Sequence, residues 1–449
     1  MADLVYKLEE KPRSARDWIL YSFQWVITMF YAVVWGYAIV GVGLDFQGEE
    51  LTRYMSAVVL TIGVSTLLQA WLGHRMAMVS GPNVIPSLAI VAALSAGGEE
   101  YALQSFMAQA IAGVVIAALA LVGVVKYIRK IWSPLILGSM IIMVGLAVAG
   151  TGLEYMVEGA WDWPFAVALL LALGGTFLAI KGKGVWATLP PFVIIGLGFI
   201  VFIVMGEVDF TPVSEAPLFT LPAFLPYGLS MPPWDLIIIM LVVNLMAGLN
   251  MYGNLHGYAK VIDEDLGEKR EKRSFTIFGL VETVLPGLLG TPATVAYGEN
   301  LGIVQLTRVA ARSFIIVASV VFIALAFFGP FGGLMAAIPK PIAGAVLLGI
   351  ASTVIGIGAQ TFETAPAFGR REQTLVGFSV FLSLGLYLLP QDVWQQAPRL
   401  VETIFSNPIV SVILFVILFE QVIFRESDKA EGKDPENGNS KEDRNNESK

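Results

Sequence analysis

Long apolar runs separated by short polar stretches occupy most of the chain. A helix that crosses a bilayer needs about 20 apolar residues, and on that measure the pattern predicts about fourteen spanning segments, several of them short or broken. They cover residues 17–42, 54–72, 77–97, 104–126, 133–152, 163–180, 187–206, 235–259, 275–289, 300–309, 311–330, 341–359, 373–389 and 406–424. The pattern therefore predicts an all-α polytopic membrane protein.

The charged residues between these segments alternate from one loop to the next. Loops without Lys or Arg, such as Glu154–Asp162 and Gly206–Pro233, alternate along the chain with loops rich in these residues. Cations favour the cytoplasmic side of a membrane, so the alternation predicts an even number of segments with both termini in the cytoplasm. The exceptions are Arg53, Lys340 and Arg399.

Composition narrows the possible chemistry. Hydrophobic residues make up 56% of the 449 and charged residues only 14%, whereas soluble domains carry about 25% charged residues. The chain has no cysteine and only two histidines, His74 and His256, which excludes disulfides and multi-histidine metal sites. A net charge of −8 argues against nucleic-acid binding. No cofactor or metal is predicted, and the polar tail 425–449 is predicted to be disordered in the cytoplasm.

Two apolar segments are interrupted in matching positions of the two halves of the chain. Gly, Pro and Asn break Met78–Ser87 in the first half and Leu288–Arg308 in the second. Such paired breaks point to a transporter binding site, because irregular backbone at membrane depth is tolerated only inside protein or around a cavity. The apolar run Asn300–Val309 would span about 15 Å as a helix, so it should start near the middle of the bilayer.

Glu299 stands at the start of that short helix. A charged side chain at this depth costs at least about 2.5–3.5 kcal/mol, so it persists where it pairs, takes a proton or faces a cavity. A carboxylate can accept two N–H donors side by side, and uracil and xanthine present such edges. The alternative is that Glu299 only caps the helix that begins at Asn300.

The sequence GENLGIVQLTR, which contains Glu299, resembles the signature of the nucleobase–ascorbate transporter family, and the preceding GTPATVAYGEN resembles that family's GGPPNTTYGEN. The resemblance implies two inverted seven-segment repeats. Segments 3 and 10 would each begin with a short β-strand and continue as a half-helix. A substrate-binding core domain would comprise 1–126 and 234–330, and a gate domain 127–233 and 331–424.

The resemblance also implies that substrate lies between the two strands and the eighth segment. The predicted substrate-binding residues are Glu299, Asn250, Asn83, Val84, Asn300, Ala296, Gln24 and Asn254.

The chain departs from the family pattern at some of these positions. Asn250 and Asn254 replace ionisable residues that family members often carry, and hydrogen bonding between helices is the alternative role for both amides. Gln24 precedes a Trp instead of a His, and Asn83 stands where an aromatic residue often lies. Glu299 and Glu282 are the proton-coupling candidates, although Glu282 has a structural role as its alternative.

Together these features predict a secondary transporter that moves a nucleobase of the uracil, xanthine or urate class across the plasma membrane by proton symport. The expected partners are the base, the proton, membrane lipids and a second copy of the chain in a homodimer. Two alternatives remain: an uncoupled, facilitative base transporter and an anion transporter of the same fold. An enzyme is not expected, because the chain lacks catalytic motifs such as H-E-x-x-H or a P-loop.

Overall fold

The computed structural model describes residues 4–123, 133–182, 190–298, 300–363, 365–394 and 396–424. Glu299 and the tail 425–449 lie outside the described residues, so the predictions made for them are not addressed by the structure.

The described residues are mainly helical. The segments are α1 (Ala15–Gly41), α2 (Gly48–Trp71), α3 (Val84–Leu94), α4 (Gly97–Val122), α5 (Pro134–Val157), α6 (Trp163–Lys181), α7 (Pro190–Met205), α8 (Trp234–Ile262), α9 (Glu268–Ile277, continued by Phe278–Val284 and Leu285–Leu288), α10 (Asn300–Thr307), α11 (Arg312–Ala326), α12 (Lys340–Phe362), α13 (Arg370–Tyr387) and α14 (Pro408–Ile423). Shorter helices cover Thr211–Ser214, Gly329–Ala336, Gln391–Trp394 and Arg399–Phe405. Within the described ranges, seven helices are long and apolar enough to cross a membrane, and four shorter apolar helices accompany them. The predicted fold class is confirmed.

Two three-residue strands lie where the sequence is broken. β1 (Ser80–Pro82) leads into α3, and β2 (Thr294–Ala296) precedes α10. The strands pair antiparallel, with Gly81 opposite Val295. Each strand therefore satisfies backbone groups of the other in a region where lipid offers no hydrogen bonds.

The helices pack in two groups. α1, α2, α4, α8, α9 and α11 pack mainly on one another around the strands, whereas α5, α6, α7, α12, α13 and α14 form a second group. α12 lies along α5, where a Cβ on Gly344 would come within 2.4 Å of the Gly152 carbonyl oxygen. Small residues allow such close backbone contact between membrane helices. That these groups move as core and gate domains with the predicted bounds stays a prediction.

The N-terminal arm, residues 4–14, lies against the link between α10 and α11. Tyr6 forms a parallel bridge with that link. Glu9 pairs with Arg312 at 2.6 Å and with Arg75 at 3.0 Å, so one carboxylate joins the loop before β1 to the start of α11. The arm thus connects the start of the first interrupted segment to the end of the second.

Candidate functional site

Two amides on α8 are attached to the end of β2. The side-chain nitrogen of Asn254 donates to the Ala296 carbonyl at 2.9 Å and to the Asn250 side-chain oxygen at 3.1 Å. Asn250 and Asn254 are four residues apart and both are half-buried, so they share one helix face. A Cβ on Gly298 would lie 2.7 Å from the Asn254 side-chain oxygen, so a larger residue at 298 would have to displace the Asn254 amide.

The start of α10 is tied to both strands. Asn300 is 2% exposed, and its side-chain nitrogen donates to the carbonyls of Tyr297 at 2.7 Å and Val79 at 3.3 Å. The Tyr297 hydroxyl donates to the Pro82 carbonyl at 2.7 Å. The two strand ends and the half-helix therefore form one connected unit in front of α8.

The predicted principal contact, Glu299, cannot be placed because it lies outside the described residues. Its chain neighbours Gly298 and Asn300 lie at the junction between β2 and α10. The first N–H groups of a helix have no partner within the helix, so this junction presents hydrogen-bond donors to any ligand beside it.

Three further predicted residues lie on or next to α3 and on α1. Val84 is the half-buried first residue of α3. Asn83, a predicted base contact, uses its side-chain oxygen to accept from the Ile85 N–H at 2.8 Å and so caps α3. Gln24 is half-buried on α1, and within the described residues no hydrogen bond joins its side chain to the strands. Their contact with substrate stays a prediction.

Tyr31 and Tyr297 are site features that the sequence reasoning did not identify. Both are half-buried, and their ring centroids lie 6.0 Å apart at an angle of 74°. Tyr297 stands beside the signature and so carried a signal. Tyr31 carried none, because one aromatic residue in an apolar helix does not stand out among 13 tyrosines and 27 phenylalanines.

Glu282 is separate from the α8 amides. It is fully buried in a π-helical turn of α9, and its Oε2 accepts from the Gln69 side-chain nitrogen at 2.6 Å. The Thr294 hydroxyl oxygen lies 3.5 Å from the Glu282 backbone carbonyl oxygen, which places Glu282 behind β2.

The described groups at the junction are amides, backbone carbonyls and tyrosines. Such groups donate and accept hydrogen bonds without carrying charge, which suits a neutral, planar, polar molecule. Among the described residues there is no group of three or more His, Asp or Glu that could hold a metal ion.

Comparison with known proteins supports a transport site. The family model Xan_ur_permease, described as "Permease family", matches residues 16–391. The uracil permease of Bacillus caldolyticus is 27% identical over 390 residues, covering 85% of this chain and 88% of its own length. The uric acid permease PucJ of Bacillus subtilis is 24% identical over 438 residues, covering 94% and 95%.

A solved structure shares the fold. The transmembrane domain of the bicarbonate transporter BicA from a cyanobacterium is 14% identical, with a TM-score of 0.58 over 90% of this chain and 99% of that one. At this identity the likeness concerns architecture alone, and it confirms the predicted inverted-repeat fold with its interrupted segments.

Proposed function

Because the chain belongs to this permease family, the nucleobase–ascorbate transporter family, we propose that it carries a nucleobase of the uracil, xanthine or urate class across the cell membrane. The protein is a multi-pass membrane transporter and not an enzyme, as predicted. The observation that carries the proposal is the hydrogen bond from the Asn254 side chain to the Ala296 carbonyl, beside the start of α10.

The base binds between the α8 amides and the strand ends. Its edge carries alternating N–H and C=O groups, and Asn250 supplies both a donor and an acceptor for such an edge. Asn254 holds β2 in place, and Val84 and Asn300 flank the junction on the two half-helices. Glu299 completes the site by accepting an N–H of the base.

Transport follows when the group of helices that carries the site moves against the other group and opens it to the opposite side. We infer proton symport as the driving reaction, with Glu299 and Glu282 as the candidate carriers. The uncoupled alternative predicts that base entry leaves the external pH unchanged, whereas symport makes the outside more alkaline.

We place the transporter in the cell membrane as a homodimer with both termini in the cytoplasm. The orientation rests on the loops rich in Lys and Arg, which favour the cytoplasmic side. The dimer rests on the family resemblance.

The test is uptake of labelled uracil, xanthine and urate into liposomes that contain the purified protein, with labelled bicarbonate as the competing substrate. Hydrogen bonds to a charged group contribute about 1.5–3 kcal/mol. Glu299→Gln should therefore raise the KM for the base by about 10- to 150-fold, since each 1.4 kcal/mol is about tenfold. Saturable bicarbonate uptake without uptake of any base would favour the anion transporter, and an unchanged KM in Glu299→Gln would remove Glu299 from the site.

A further inference from the structure

A carboxyl group lies fully buried behind the strands, away from the proposed base site. Glu282 has no exposed surface, and its only side-chain hydrogen bond within the described residues comes from Gln69. Its second oxygen, Oε1, has no hydrogen-bond partner there. None of the ion pairs among the described residues involves Glu282.

The groups that surround this carboxyl are neutral. The Ser80 hydroxyl lies next to it, and in the described part of the chain the hydroxyls of Ser80 and Ser274 have no assigned hydrogen-bond partner. From α2, Gln69 also donates to the Ser274 carbonyl at 3.2 Å, and from β2 Thr294 contacts the Glu282 backbone.

One ionisable residue is connected to this cluster from outside. The backbone N–H of His74 donates to the Gln69 side-chain oxygen at 3.3 Å. The His74 ring accepts from the Met76 N–H at 3.0 Å, and the positive charge of Arg270 on α9 acts on that ring. Neither His74 nor Arg270 pairs with the carboxylate of Glu282, so no described cation compensates a negative charge there.

An ionised carboxylate in this environment is costly, because burying an ion costs several kcal/mol that only a paired charge or several donors can offset. A proton on Oε1 removes that cost and turns an oxygen without a partner into a donor, with the adjacent Ser80 hydroxyl as its acceptor. We propose that Glu282 binds the coupling proton at this second site, separate from the base site; this rests on the proposed function.

A proton fits the site better than a metal cation. Hard cations take several converging oxygen ligands, whereas here the Gln69 side chain presents N–H groups to the carboxylate. The positive ends of those N–H dipoles would repel a metal ion at Oε2. Proton binding needs only the one free oxygen.

The two sites are connected through the strands. Ser80 pairs in register with Ala296, whose carbonyl holds Asn254 of the base site. Thr294, at the other end of β2, contacts the Glu282 backbone and donates to the Ser65 hydroxyl at 2.8 Å. A shift of the strands on base binding therefore changes the surroundings of the carboxyl, and loading of base and loading of proton depend on each other.

The decisive variant is Glu282→Gln, which keeps the shape of the side chain and cannot exchange a proton. Wild-type protein in liposomes should accumulate base about tenfold per unit of inward pH gradient at one proton per base. Glu282→Gln should retain base exchange without a gradient but lose this accumulation. Glu282→Asp, which keeps an acid, should retain accumulation with a shifted pH profile.

Glu420→Gln is the matched control. Glu420, on α14 in the second helix group, is a partly buried acid whose Oε2 accepts from the Ser133 hydroxyl at 2.6 Å, and its variant should behave as wild type. If Glu282→Gln does not fold, Gln69→Ala replaces it. Loss of the amide donor should move the pH midpoint of uptake to higher pH.

Gradient-driven accumulation by Glu282→Gln equal to wild type would overturn the inference, and so would an unchanged pH midpoint in Gln69→Ala. Accumulation driven by a sodium gradient and lost in Glu282→Gln would assign the site to sodium and also overturn it. Absence of base exchange by the wild type would instead refute the proposed function.

Discussion

Gly81, the central residue of β1, packs too closely against α1 and Tyr297 for a methyl group to fit without movement. A Cβ there would lie 2.5 Å from the Ala32 Cβ and 2.6 Å from the Tyr297 hydroxyl oxygen. Carbon atoms in contact are about 3.5–4.0 Å apart, so α1 or β1 must move by about 1 Å. The Tyr297 hydroxyl would also be pushed from its bond to the Pro82 carbonyl.

The expected cost of Gly81→Ala is the sum of two effects. Overpacking costs about 1–3 kcal/mol and a lost hydrogen bond about 0.5–1.5 kcal/mol, which gives about 1.5–4.5 kcal/mol together. The free-energy cost appears as a lower melting temperature if β1 keeps its position. It appears as weaker base binding if β1 moves. At about tenfold per 1.4 kcal/mol, the second outcome weakens binding by at least about tenfold.

The assay measures the melting temperature in detergent and the Kd of the base on the same preparations. Gly174→Ala is the matched control, because Gly174 lies exposed on α6 with no atom within 4 Å of the position a Cβ would take. If Gly81→Ala matched Gly174→Ala in both measurements, the claim that β1 packs too closely against α1 and Tyr297 to accept a methyl group would be refuted.

Three further predictions concern the Asn254 hydrogen bond and the N-terminal arm. Asn254→Ala leaves the Ala296 carbonyl without its donor and should cost about 1–3 kcal/mol, seen as weaker base binding in a Kd measurement. Unchanged base binding and an unchanged melting temperature would contradict a role for this hydrogen bond. Tyr6→Ala removes a buried ring that packs edge-to-face on Phe314 at 5.3 Å and should destabilise the protein by about 3–5 kcal/mol in a thermal melt. Glu9→Gln removes the two ion pairs that the exposed Glu9 carboxylate forms with Arg312 and Arg75, each worth about 0–1 kcal/mol, so a loss in the same melt equal to or larger than that of Tyr6→Ala would refute the reasoning.

The interrupted segments could be predicted because their causes are local. Gly290, Pro292 and Gly298 precede Asn300 and disfavour a continuous helix, and α10 begins at Asn300 as the pattern predicts. Asn83 shows the limit of the same reasoning. The sequence does not show that its side-chain oxygen caps α3, and contact between Asn83 and the base stays a prediction.

The environment of Glu282 could not be predicted because it depends on distant parts of the chain. Gln69, its hydrogen-bond donor, lies 213 positions away, and nothing in the α2 sequence marks that side chain. The π-helical turn Phe278–Val284 that carries Glu282 depends on how α9 packs, and no residue type specifies such a turn.

The pairing of β1 with β2 also has a consequence for how the protein is made. Gly81 and its partner Val295 are separated by 214 positions, and ribosomes add about 5–20 residues per second. The first strand is therefore synthesised roughly 10–40 seconds before its partner exists. During that interval its peptide groups cannot face acyl chains without a large penalty. The insertion machinery, or the helices already released on either side, must keep the first strand sheltered until the second half of the chain arrives.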